Sequence, residues 1–195
     1  VDPDAGEARV QPGVVLSELD DRAADHGLTF GPDPAAGDRS AIGGAIGNNS
    51  TGAHSLVYEK TDHYVEAAEV VLADGTVTTF GEVAVSELRG RADPEGDIEE
   101  RIAAGVVAVL DDHGEEIRER YPEMKRNVSG YNLDRLVAEA DGEYGEPGVV
   151  NLARLLAGSE GTLAIVTEAT VGLEPLPETK SVALLTYDGV LDAVS

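Results

Sequence analysis

Residues 43–52 read GGAIGNNSTG, and residues 158–169 read GSEGTLAIVTEA. Gly43, Gly44, Gly47 and Gly52 lack the β-carbon that would hold another surface away, while Asn48, Asn49, Ser50 and Thr51 add short polar groups that can bond a ligand. In the second stretch Gly158 and Gly161 bracket Ser159 and Glu160, and the chain then enters the alternation Leu163, Ile165, Thr167, Ala169, Val171 that marks a strand. A glycine loop feeding a rigid strand is a good place for a site. Either stretch alone is also what an ordinary turn requires. The phosphate-binding P-loop is excluded because no Lys follows Gly47, and the dinucleotide spacing GxGxxG is not met after Gly43.

Working outward, Glu7–Gln11 reads as a strand, and Val14–His26 reads as a helix with Val15, Leu16, Leu19 and Ala23 at helical spacing and Gly27 as its stop. Residues 30–38 form a loop punctuated by Pro and Gly. Tyr64–Leu72 and Thr76–Phe80 read as two strands joined by the Asp74-Gly75 hairpin turn. Glu87–Gly96 is polar and irregular, which predicts a surface connection. Asp97 opens a helix with Ile98, Ile102, Val106, Val109 and Leu110 on one face, expected to end near His113 and Gly114. Glu115–Tyr121 is then a short helical turn stopped by Pro122, Asp141–Gly148 a loop, and Leu152–Leu156 a further helical turn. Val182–Thr186 is expected to begin another strand.

The 195 residues carry 38 Asp and Glu against 14 Lys and Arg, for a net charge of −24. These charges are spread through periodic segments with Val, Ile and Leu runs, so the chain reads as a folded domain and not as an acidic disordered tail. Self-repulsion at this charge is relieved by concentrated counterions, which suggests a halophilic source with a salt-rich cytoplasm. The charge argues against nucleic-acid binding, because phosphates would be repelled. With no Cys there is no disulfide, thiolate metal site, cysteinyl flavin link or iron–sulfur ligation in this chain. His26, His54, His63 and His113 show no pairing at metal-ligand spacing, so no metal site is predicted. No apolar run approaches the roughly 18 residues that a transmembrane segment needs.

The two glycine stretches, Pro32-Asp33-Pro34 upstream and NVSGYNL at 127–133 together resemble the FAD-linked oxidases, a family of the vanillyl-alcohol oxidase and p-cresol methylhydroxylase superfamily. Within it, the branch of D-lactate dehydrogenase, the glycolate oxidase FAD subunit and D-2-hydroxyglutarate dehydrogenase is the most similar. The resemblance covers roughly positions 8–178. It implies an α+β fold, part of a PCMH-type FAD-binding domain with a mixed or antiparallel sheet and flanking helices. Family members carry upstream a pyrophosphate loop of the type RGGGTSLAG that has no counterpart here, and the chain begins at Val1. Residues 1–180 are accordingly expected to be a partial FAD-binding domain, and residues 181–195 the start of a substrate or cap domain. Ala164 stands where the family commonly has Gly.

What the resemblance implies for the site is specific. Gly43, Gly44, Asn48, Asn49, Ser50 and Gly52 would run along the flavin, with Pro34 and Ile42 shaping the entrance, and Glu160, Gly161 and Ile165 would pack on its adenine and ribose side. The cofactor would be FAD, and the parent protein would oxidise a D-2-hydroxy acid such as D-lactate or glycolate to the 2-keto acid. Electrons would pass to a quinone, an electron-transfer flavoprotein or an iron–sulfur domain, in the cytoplasm or at the membrane periphery. No catalytic residue can be named, since in this branch the base lies in the substrate domain. Lys125 and Arg126 form a local basic pair that could attract a carboxylate but is expected to be tied up in surface salt bridges. Tyr131 is expected to pack. Two other readings stay open: a flavin-dependent enolpyruvyl sugar-nucleotide reductase, and a non-catalytic acidic interaction module.

Overall fold

The structure is a computed structural model that describes residues 1–179, 181, 184–187 and 189–194. Its elements in chain order are β1 (Glu7–Val10), α1 (Leu16–Ala24), β2 (Leu28–Thr29), α2 (Ile42–Gly47), α3 (Ser55–Tyr58), α4 (Thr61–Tyr64) and β3 (Val65–Val71). Then follow β4 (Val77–Phe80), β5 (Glu82–Ala84), α5 (Val85–Arg91), α6 (Ile98–Arg120) and α7 (Leu133–Asp141). The chain continues through β6 (Val149–Asn151), a 3-10 turn (Leu152–Leu156), β7 (Ile165–Gly172), β8 (Glu174–Pro175) and α8 (Val190–Val194). A four-stranded sheet in the order β1-β7-β3-β4 is flanked by the two-stranded pairs β2-β8 and β5-β6, and all these pairings are antiparallel.

Period-two alternation explains which face is buried. Ala8 and Val10 on β1, and Ala169 and Val171 on β7, turn inward together. On β3 the inward residues are Val65, Ala68 and Val70, and the break in alternation coincides with a register shift between Val65 and Ala67. Against this face pack Leu16, Leu19 and Ala23 of α1, Phe30, and Ile42, Ala45 and Ile46 of α2. A second core forms from Leu88, Ala103, Val106, Leu136, Val150 and Leu152, with Phe80 and Ile102 packed against both.

Several expectations are corrected. Residues 85–91 are helix α5, because Leu88 is fully buried under α6 and recruits the surrounding polar sequence into a helical turn. Helix α6 does not stop at Gly114. It runs to Arg120, since Gly114 and Ile117 are both buried and extend the inward face begun by Ala103 and Val106. Its start is a full capping box, with Asp97 accepting from the Glu99 and Glu100 amides and the Glu100 side chain accepting from the Asp97 amide. Helix α7 begins inside NVSGYNL and was not anticipated, and it ends on Gly142 in the left-handed conformation at φ 87°. Residues 184–186 form no strand, and the remainder of that expected element lies outside the described residues.

A buried ionic network bolts the two cores together. Glu139 on α7 accepts from Arg135 Nε (2.9 Å) and Arg154 NH1 (2.8 Å) on one oxygen and from the Asn151 amide (2.8 Å) on the other. Arg154 also donates to the Val65 carbonyl (3.1 Å) and to Glu66 (2.9 Å) at the head of β3. The guanidinium of Arg135 lies 3.4 Å over the Tyr144 ring centre.

Candidate functional site

The two glycine stretches, far apart in sequence, meet. The backbone amide of Gly158 donates to the carbonyl of Ile46 (3.0 Å), and that of Glu160 donates to the carbonyl of Gly47 (2.9 Å). The last carbonyls of a helix have no partner within it, so the second stretch satisfies the C-terminal end of α2. A β-carbon on Gly47 would sit 3.7 Å from the Glu160 Cα, so the contact is backbone on backbone. The join is fixed further by backbone angles, since Asn49 (φ 46°), Glu160 (φ 51°), Gly158 (φ 83°) and Gly161 (φ 75°) are all left-handed.

Beneath the junction lies a buried polar chain that sequence reading did not find. Asn49 Oδ1 accepts from the Asp62 amide (3.0 Å), and Asn132 Nδ2 donates to Asp62 Oδ2 (3.0 Å) and to the Arg154 carbonyl (3.2 Å). Asn49, Asp62 and Asn132 are all buried. The carbonyl of Ser50 accepts from both the amide and the hydroxyl of Thr61. His63, on the same short helix, has its pKa lowered by burial first and then by the nearby Arg135 and Arg154 charges.

The anticipated site residues therefore divide. Ile42 is fully buried in the core, and Gly43 is glycine because Pro12 Cβ lies 2.6 Å from where its β-carbon would be. Gly52 is buried with the Pro32 and Asp33 carbonyl oxygens each 2.0 Å from its would-be β-carbon. Asn49 and Ser50 are engaged in the internal bonds just described, and Pro34 caps a local turn through its carbonyl to Gly37. By contrast Gly44, Asn48, Glu160, Gly161 and Ile165 are exposed, and a β-carbon on Gly44 or Gly161 would meet no atom within 4 Å. Of these, Glu160 and Gly161 adjoin the C-terminal end of α2, since a β-carbon on Gly47 would lie 3.7 Å from the Glu160 Cα and 4.0 Å from the Gly161 nitrogen. The 570 Å³ cavity lies elsewhere, between α6, α7 and residues 59–62 and 122–125.

Residues 121–132 lie against both stretches. Arg126 NH2 donates to Thr51 Oγ1 (2.9 Å), Lys60 Nζ donates to the Asn127 carbonyl (2.9 Å), and the hydroxyls of Tyr131 and Thr162 share a hydrogen bond (3.0 Å). A β-carbon on Gly158 would come within 2.7 Å of the Gly130 carbonyl oxygen. Tyr131 is thus a half-exposed bridge to the second stretch and not a core residue. The expected salt bridges of Lys125 and Arg126 are not formed with any described carboxylate. His54 pairs with Asp33 (3.3 Å), and among the described residues no cluster of three or more His, Asp or Glu could hold a metal.

Residues 1–81 match the family model of the FAD binding domain. The FAD-linked oxidase resemblance carried by the two motifs is also seen in whole-chain relatives, and FAD is the cofactor it brings. The chain is 32% identical over 183 residues to D-2-hydroxyglutarate dehydrogenase of Pantoea ananatis, covering 92% of this chain and 17% of the relative. It is 31% identical to glycolate oxidase subunit GlcD of Bacillus subtilis, covering 94% and 26%, and 30% identical to D-lactate dehydrogenase of Archaeoglobus fulgidus, covering 100% and 30%. The chain thus spans less than a third of these relatives' lengths. Among solved structures, alkyldihydroxyacetonephosphate synthase shares the fold, with a TM-score of 0.50 at 18% identity over 92% of this chain and 23% of that one. Among the described residues no helix is long and apolar enough to cross a membrane.

Proposed function

We propose that this chain is the FAD-holding part of a flavin-dependent dehydrogenase or oxidase of a D-2-hydroxy acid, with the flavin lying along the strip Gly44, Asn48, Glu160, Gly161 and Ile165. The observation that carries the reading is the junction of the two stretches, where the Gly158 and Glu160 amides hold the Ile46 and Gly47 carbonyls of α2. On the same helix and loop, a β-carbon at Gly44 or Gly161 would meet no described atom within 4 Å, which leaves room for a ligand.

When bound, FAD supplies the acceptor for the hydride that leaves the carbon bearing the substrate hydroxyl. The protein's part is orientation. The Asn48 side chain and the Gly161 amide offer hydrogen-bond donors to anionic or carbonyl groups, and the hydrogen bonds of the Gly158 and Glu160 amides to α2 keep that surface in one geometry. Ile165, 67% exposed at the end of β7, offers an apolar face. The buried chain from Asn49 to Asn132 fixes the backbone from below, so little reorganisation is needed on binding. The substrate, its electron acceptor and the site in the cytoplasm or at the membrane periphery follow from the relatives' chemistry and remain part of the proposal, as does division of the chain near residue 180.

The test is a titration with FAD followed by flavin fluorescence. Binding is expected to be weak, since no loop of the RGGGTSLAG type is present to hold the pyrophosphate. Gly44→Val should lower affinity about tenfold or more by filling the space a flavin would take, whereas Gly90→Val, also in open space on a helix, should leave it unchanged. Equal affinity in all three proteins would sink the placement.

A further inference from the structure

Arg126 presents a guanidinium with no described carboxylate partner at Thr51 of the first glycine stretch. It is exposed, yet it is held in place by a hydrogen bond from NH2 to Thr51 Oγ1, on the first glycine stretch itself. No described carboxylate lies within salt-bridge distance, in a chain with 38 acidic residues and 14 basic ones. Its remaining N–H donors bond to no described residue, and a guanidinium with one edge pinned keeps the other for two-point contact with an oxyanion. Lys125 precedes it with no described carboxylate in salt-bridge distance, whereas Lys60, which reaches the adjoining Asn127 carbonyl, is itself paired with Asp62 (3.5 Å).

The surrounding field gives this arrangement a use. At a net charge of −24 every approaching anion is repelled, and both FAD and a hydroxy acid are anions. A local cation that the protein's own carboxylates do not neutralise offsets that repulsion at one point. Arg suits the role better than Lys because its planar fork matches the two oxygens of a carboxylate or phosphate.

We propose that Arg126, positioned by Thr51, is an oxyanion-binding residue at the edge of the glycine strip, receiving either a phosphate of the dinucleotide or the carboxylate of the hydroxy acid. The proposal rests on the placement of the ligand along that strip. Both sources present the same chemistry, an anionic pair of oxygens, and the test separates them.

The experiment measures binding of inorganic pyrophosphate and, separately, of D-lactate by calorimetry at one fixed KCl concentration. The proteins are the unaltered chain, Arg126→Gln, Arg126→Lys, Thr51→Val and Arg22→Gln, the last removing an exposed arginine on α1. Arg126→Gln should weaken one probe about tenfold or more, Arg126→Lys should recover only part of it, and Thr51→Val should fall between because the guanidinium is no longer held. Arg22→Gln should match the unaltered chain. Loss confined to pyrophosphate assigns the cofactor, and loss confined to D-lactate assigns the substrate. Equal losses in Arg126→Gln and Arg22→Gln would reduce the effect to net charge and overturn the proposal, as would no binding of either probe. The FAD titration of Gly44→Val is read independently, so failure of the strip and failure of Arg126 give different results.

Discussion

Gly44 and Gly52 belong to one stretch of sequence and answer to opposite constraints. Gly52 is pressed between two backbone carbonyls, so Gly52→Ala must displace the Pro32–Asp33 segment and should destabilise the fold by about 1–3 kcal/mol. Gly44→Ala, facing open space in a helix, should stabilise the ligand-free chain by about 0.5–1 kcal/mol. Urea unfolding of the two variants checks both signs, and an unperturbed Gly52→Ala protein would show that the close approach is absent. The sequence announced that this stretch was special, because four glycines in ten residues is a local signal. It could not say which glycines were internal, since the partners of Gly43 and Gly52, Pro12 and the Pro32–Asp33 carbonyls, come from another segment. The same holds for Ile42. The family resemblance implies a place at the entrance, and packing against the sheet puts it in the core.

Long elements with one-sided apolar patterns were readable, whereas α5, anchored by the single buried Leu88, and α7, held by buried charge, were not. β1, α1, β3, β4 and the start of α6 follow from alternation, helical spacing, the Asp74-Gly75 turn and the Asp97 cap, all of which are local. Helix α7 escaped because its inward face includes Arg135 and Glu139, a pair that on most helices lies in solvent. Their burial becomes intelligible only when Arg154, from the 3-10 turn, closes the network. Removing one partner from such a network leaves the others charged and desolvated, so Glu139→Gln should cost about 3–5 kcal/mol, well above a surface substitution. Chemical denaturation of that variant beside Glu143→Gln, an exposed change nearby, measures the difference. A cost equal to that of Glu143→Gln would mean that the network contributes nothing.

At the scale of the whole molecule, the charge of −24 and the fold pull against each other. Added KCl screens the repulsion, so the melting temperature should climb steadily from dilute to molar salt. A flat thermal series would remove the argument for a salt-rich cytoplasm. The ionic network beneath the site is buried and should hardly respond, so the salt gain belongs to the surface. The order β1-β7-β3-β4 has a separate consequence, for the history of each molecule as it is made. β7 pairs with β1 on one side and β3 on the other, yet it is the last of the four to be synthesised. At a ribosomal pace of about 5–20 residues per second, β1 waits roughly 8 to 30 seconds for its only partner in that sheet. Throughout that interval two strand edges stay open and the α2 carbonyls of Ile46 and Gly47 lack their Gly158 and Glu160 donors. On the proposed placement of the flavin, the nascent chain has no finished surface to offer it until residue 172 has emerged, which makes cofactor loading a late event.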